Sequence, residues 1–162
     1  MINNLSDPKI ILGWREWVSL PDLNIPAIKA KIDTGARTSA LHTFHLETSK
    51  EHGRHLVRFG LHPLQRRKDI RLNCVAEVTD YRRVSDSGGH HEMRYVIKTP
   101  IILAGKLWDI EITLTDRESM QFRMLLGRTA MAGQFTVDPQ ASYLTGRSIK
   151  KAYKTATLKK AK

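Results

Sequence analysis

Lys31-Ile32-Asp33-Thr34-Gly35-Ala36 is the stretch on which the reading of this 162-residue chain turns. Upstream, Ala27-Ile28-Lys29-Ala30-Lys31-Ile32-Asp33 alternates apolar and polar residues, the pattern of a half-buried strand. Thr34-Gly35 then breaks it, so Asp33 stands at the rigid end of a strand. Glycine permits a tight turn and a close backbone approach, and the Thr34 hydroxyl can tie down its neighbours. On average residue usage, Asp-Thr-Gly arises by chance in on the order of a few per cent of chains this size. Taken alone, it reads as a turn with a solvated carboxylate.

Working outward, the rest of the chain reads as short strands punctuated by turns. Leu12 to Leu20 is a strand ended by Pro21-Asp22, and Ser39 to Leu46 resumes after the turn. Ser49 to Arg71 reads as a hairpin and surface loop. Leu72 to Tyr81 and Met93 to Leu103 are strands joined through Ser85-Asp86-Ser87-Gly88-Gly89. Ala104-Gly105-Lys106 leads into the alternating Trp108 to Leu114. Met124-Leu125-Leu126-Gly127 is a short buried strand, Arg128 to Ala132 a turn or two of helix, and Phe135 to Asp138 a last strand. Such a series predicts an all-β barrel or sandwich with one short helix towards the C-terminus.

The net charge of +11 is unevenly spread. Arg147, Lys150, Lys151, Lys154, Lys159, Lys160 and Lys162 supply seven positive charges with no acid among them, leaving residues 1–146 at +4. The expected organisation is one domain over residues 8–146 and a Lys-rich, disordered tail over 147–162. Cys74 is the lone cysteine, no apolar run is long enough for a membrane span, and no secretory signal is visible. These features fit a cytoplasmic protein with no membrane partner.

Several longer stretches then carry a resemblance. Gly13-Trp14-Arg15-Glu16-Trp17-Val18, Ala30 to His42 around Asp33, Arg94-Tyr95-Val96-Ile97, and Met124-Leu125-Leu126-Gly127-Arg128-Thr129-Ala130-Met131 resemble the RimB-type retropepsin-like aspartic peptidases. That bacterial and archaeal family carries an inherited label of ATP-dependent zinc protease. The similarity runs from about residue 12 to residue 146. It implies a retropepsin-like closed β-barrel in which the Leu-Leu-Gly strand passes beside the Asp-Thr-Gly turn. Asp33, Thr34 and Gly35 then become the catalytic residues, supported by Ala36, Leu126, Gly127 and Arg128.

The ATP and zinc of that label find no motif. There is no Gly-x-x-x-x-Gly-Lys-Ser/Thr loop and no His-Glu-x-x-His helix. Among the seven histidines, His42 with His45 and His52 with His55 have spacings that suit a helix better than strands and loops. His90 and His91, adjacent on a strand, would point to opposite faces. Solvated or hydrogen-bonded histidines are expected, with no metal and no cofactor.

An aspartic peptidase needs two carboxylates about a water apart, one to activate the water and one to polarise the carbonyl. One chain holds one Asp-Thr-Gly, so the expected solution is a homodimer that pairs two copies of Asp33. A monomer using Asp116 or Glu118 is the competing arrangement. Alanine at 36 cannot donate to the carboxylate as a hydroxyl residue would, which suits work near neutral pH.

The resemblance further implies trimming of α-linked glutamates added to a small-subunit ribosomal protein by a RimK-type ligase. Arg37, Arg83 and Arg94 are the candidate substrate-binding residues, and Arg82 and Arg128 also merit testing, because planar guanidinium forks bind carboxylates bidentately. Two rival functions are a catalytically silent module holding ribosomal or ligase partners, and a nucleic-acid binder using the basic tail.

Overall fold

The structure, a computed structural model, describes residues 8–85, 88–116, 121–147 and 152–153. Glu118, the Asp86-Ser87 part of one expected turn and most of the 147–162 stretch lie outside the described residues.

In chain order the elements are β1 (Ile10–Leu12), β2 (Arg15–Leu20), a 3₁₀ turn at Pro21–Leu23, β3 (Ile25–Asp33), β4 (Ser39–His42), β5 (His45–Glu51), β6 (Arg54–Leu61), β7 (Leu72–Glu77), β8 (Asp80–Ser85), β9 (His91–Leu103), β10 (Lys106–Thr115), β11 (Met124–Gly127), helix α1 (Arg128–Met131) and β12 (Phe135–Val137). The all-β class with one short helix is borne out. Seven strands form the main sheet in the order β10-β4-β11-β3-β2-β9-β8. Because β9 also pairs with β10, six of them bond round into a ring, joined between β2 and β9 at Ser19 and Ile102. A three-stranded sheet, β5-β6-β7, and a parallel β1-β12 pair complete the fold.

Three runs expected as single strands are each divided. Leu12 to Leu20 parts after Leu12, so that β1 joins β12 while β2 joins β3. At Gly13 the chain passes so close to residue 141 that a Cβ would lie 2.3 Å from the Ala141 carbonyl oxygen. Leu72 to Tyr81 parts at Val78-Thr79, whose N–H groups donate to His55 and to Val96 respectively. Ser39 to Leu46 parts at Thr43-Phe44, with N–H groups donating to Thr115 and Gly60. In each case successive residues change hydrogen-bonding partner.

Inward-facing side chains make the core, among them Leu12, Val18, Leu20, Ile28, Leu41, Ile97, Ile112, Leu114, Met124 and Leu126. A second, smaller cluster forms from Trp17, Ala27, Ile70 and Tyr153. Tyr153 falls in the stretch expected to be disordered, yet it is only 4% exposed. The cause is local. The β2–β3 register shifts between Val18 and Leu20, and Tyr153 satisfies Ala27 at that irregularity. Its hydroxyl accepts from the Ala27 N–H at 3.2 Å and donates to the Ala27 carbonyl. No helix among the described residues is long and apolar enough to cross a membrane.

Candidate active site

β3 turns Ala30 and Ile32 inwards and leaves Lys29, Lys31 and Asp33 half-buried on its other face. The strand stops at Asp33. There the Gly35 N–H donates to Asp33 Oδ1 at 2.9 Å and the Ala36 N–H donates to the Asp33 carbonyl at 3.3 Å. Thr34 and Gly35 are exposed. The backbone at Gly35 is not left-handed, and the nearest atom to an added Cβ is Asp33 Oδ1 at 3.3 Å. Its contribution is therefore an open approach to the carboxylate rather than a positive φ.

β11 runs parallel to β3, with Leu126 beside Ile32 and Gly127 beside Asp33. The main chain of the turn crosses where a side chain of residue 127 would sit. From there the two segments are laced together. The Gly127 N–H donates to Ser39 Oγ at 3.0 Å, and the Arg128 N–H to the Ala36 carbonyl at 2.8 Å. Thr129 gives both its N–H and its hydroxyl to the Arg37 carbonyl, at 3.2 and 2.7 Å. The Arg128 guanidinium reaches the Gly35 carbonyl at 3.3 Å. Asp33, Thr34, Gly35, Ala36, Leu126, Gly127 and Arg128 are thus brought together. An open cleft of about 630 Å³ begins at Thr34 and Arg128 and continues along Met131, Phe135, Val137 and Pro139.

The arginines do not converge in the same way. Arg94 stands opposite Arg82 in the β8–β9 pairing, whereas Arg83 stands opposite Met93. Arg83 and Arg94 therefore project from opposite faces of the hairpin. The Arg94 side chain is only 14% exposed and is engaged by Glu92 and by Thr113 Oγ1. Arg82 bridges Glu111 and Asp80, and the bond to Glu111 is the main reason its pKa is raised. The Tyr81 N–H, and after it Arg82, lowers that of Asp80. Arg37 is exposed, and its carbonyl is what the site uses. Asp116 is exposed just past the end of β10.

Sequence reasoning missed Ser39 and Thr113. Thr113 Oγ1 receives Arg94 and donates to the Ser39 carbonyl at 3.1 Å, while Ser39 Oγ receives Gly127. A polar path thereby runs from β9 to the glycine beside Asp33. The available signal was a hydroxyl residue closely following Asp-Thr-Gly.

Among the described residues no group of three or more His, Cys, Asp or Glu is placed to hold a metal. His91 bonds Ser85 Oγ at 2.7 Å, His62 stacks on Phe44, and His55 meets Tyr95 edge-on. The zinc of the inherited label has no donor set in these residues.

A strand-end aspartate braced by a parallel Leu-Leu-Gly strand agrees with a family match. The profile described as retropepsin-like aspartic endopeptidase RimB matches residues 11–148. The chain belongs to the RimB-like family. A crystal structure of a Legionella pneumophila protein of unknown function (DUF785) superposes with a TM-score of 0.70 at 27% identity, covering 85% of this chain and 99% of that one. Two curated relatives are named probable alpha-L-glutamate ligase. The Shewanella pealeana protein is 44% identical over 96% of this chain and 35% of its own length. The Shewanella halifaxensis protein is 46% identical over 88% of this chain and 31% of its own length. This chain therefore spans about a third of the curated relatives it matches. By family, it is a retropepsin-like aspartic endopeptidase.

Proposed function

We propose that this chain hydrolyses peptide bonds within α-linked glutamate tails on a ribosomal protein, using Asp33 from each of two copies. The observation that carries the reading is the placement of Asp33. It ends a strand on an exposed turn that neighbouring backbone and Arg128 hold from the other side. A positioned, accessible carboxylate is what general acid–base attack on an amide requires.

In the proposed step, one Asp33 is ionised and takes a proton from a water held between the two carboxylates. The other is protonated and donates to the scissile carbonyl oxygen as the water oxygen attacks carbon. Collapse of the tetrahedral intermediate breaks the C–N bond; the leaving nitrogen takes the proton that the first Asp33 received from water, and a hydroxyl of the intermediate returns a proton to the second. Two carboxylates this close share one proton readily, so the pair supplies both acid and base. A two-fold dimer supplies the second carboxylate from one gene product.

The substrate assignment is supported by the relatives named alpha-L-glutamate ligase, which contain a stretch like this chain. A peptidase joined to a ligase in that way would work on the ligase's product, here in the cytoplasm beside the ribosome and a RimK-type enzyme. The positive charge of the chain suits an acidic substrate.

The test is incubation of an oligo-α-glutamate-tailed peptide with wild type and Asp33→Asn, followed by mass spectrometry. Shortening of the tail by wild type alone is expected. Equal cleavage by both proteins would remove Asp33 from the mechanism. Cleavage of other peptides but not this one would remove the substrate.

A further inference from the structure

The face of β3 that carries Asp33 also carries a row of cations. Lys29, Lys31 and Asp33 alternate with buried residues, so all three project to the same side. Arg15 on β2 lies directly opposite Lys31 in the antiparallel pairing. Like charges directly opposite each other repel. The crowding then grows. Arg15, Lys29 and Arg147 all gather around the ring of Tyr143, with their charged centres 4.8, 5.6 and 4.2 Å from its centroid.

Among the described residues none of these four cations makes an ion pair. The side-chain partners of Arg15 and Lys29 are neutral, Ser142 Oγ and Gln65 Oε1. Aromatic faces relieve some of the repulsion. The arrangement nonetheless has positive potential on one side of the strand and, among the described residues, no carboxylate paired with it.

We infer that this row is an anion-binding subsite which holds the glutamate side chains of the substrate away from the bond being cut. The inference rests on the reading of Asp33 as the catalytic carboxylate. The spacing favours a peptide. Alternate residues of a strand are about 7 Å apart, and an extended α-linked glutamate chain repeats its side chains on one face at the same interval. A tail lying along β3 with its scissile bond at Asp33 brings successive carboxylates to Lys31 and Lys29, with Arg15 and Arg147 flanking.

The experiment is direct binding of a fluorescein-labelled oligo-α-glutamate peptide to the Asp33→Asn protein, read by anisotropy. The Lys29→Gln/Lys31→Gln double substitution is expected to weaken binding roughly tenfold or more, since two charge-assisted hydrogen bonds are a substantial part of so small an interface. Raising salt from about 50 to about 300 mM should weaken the parent strongly and the double variant little. An oligoglutamine peptide should not bind.

Arg147→Gln, at an exposed position, keeps the test open if the double variant fails to fold, and should itself weaken binding by roughly threefold. Unchanged affinity in a folded variant, or no binding by the parent, overturns the proposal. Tighter binding of a single-stranded RNA oligomer, abolished by the same substitutions, also overturns it in favour of a nucleic-acid surface. Charge-dependent peptide binding together with no tail shortening by wild type would sink the peptidase reading and leave the row as an oligoglutamate-binding surface only.

Discussion

Gly127 lies beside Asp33 in the parallel pairing of β11 with β3, and a side chain there has no room. A Cβ at 127 would be 2.7 Å from the carbonyl carbon of Thr38 and 3.0 Å from the carbonyl oxygen of Ala36. Both are main-chain atoms of the segment that follows Asp33, so relief means moving the turn itself.

Gly127→Ala is accordingly expected to cost about 1–3 kcal/mol of stability, as overpacking does. Activity should fall further than stability, because the displaced segment positions the carboxylate. Urea midpoints and cleavage rates measured on fully folded protein check this. A variant matching wild type in both would show that the turn does not depend on this close approach.

Ala36 is fixed on both sides, its N–H donating to the Asp33 carbonyl and its carbonyl receiving the Arg128 N–H. A serine hydroxyl at 36 is expected to donate to the Asp33 carboxylate and favour its anionic form. The acid limb of the kcat/KM profile should then move to lower pH in Ala36→Ser. An unaltered profile sinks the idea.

Glu16 is fully buried and accepts four hydrogen bonds: from the N–H groups of Gly13, Leu144 and Thr145 and from the Thr145 hydroxyl, at 2.6, 3.0, 3.1 and 2.8 Å. Glu16→Ala orphans these donors and should cost about 3 kcal/mol. Glu16→Gln should cost less, since one amide oxygen still accepts. The segment released carries Tyr143, so the alanine variant should also weaken glutamate-peptide binding with every cation intact. Thermal melts and the anisotropy titration report the two effects separately.

Burial pushes the Cys74 thiol from 9.0 to about 12. Burial likewise pushes Tyr153 from 10.0 to about 12, against the opposing pull of its bond to Ala27. In both cases the folded chain holds the proton more tightly than the unfolded chain. Stability from these groups is therefore complete below pH 9 and is lost as pH rises towards 12, at about 1.4 kcal/mol per pH unit for each group while only the unfolded form ionises. Denaturant unfolding across that range should show a steep alkaline decline in wild type and a shallower one in Cys74→Ala/Tyr153→Phe. Identical slopes would assign the decline to other groups.

The elements of the site were legible because their chemistry is local. Asp33-Thr34-Gly35 shows itself as a strand end, and Leu126-Gly127-Arg128 as a buried strand entering a helix. Their juxtaposition came from resemblance alone, because alternation marks a strand without naming its neighbour or its direction. For the same reason each of three runs read as one strand through Gly13-Trp14, Thr43-Phe44 and Val78-Thr79, where the chain changes partner. The faces of Arg83 and Arg94 depend on register, which composition does not encode. Tyr153, in a Lys-rich stretch with few large apolar residues, gave no periodic signal, and its burial depends on an irregularity in β2–β3 pairing.

The supports beneath the Asp33 turn come from far along the chain: Arg128 and Gly35 are 93 residues apart, and Gly127 and Ser39 are 88. Contacts of such separation form late and slowly. A nascent chain extended only through β10 holds Asp33 on a strand that has β2 on one side while its other neighbour, β11, has not yet been translated. The braced form of the Asp33 turn is thus complete only once β11 and α1 have been made, near the end of the domain's synthesis.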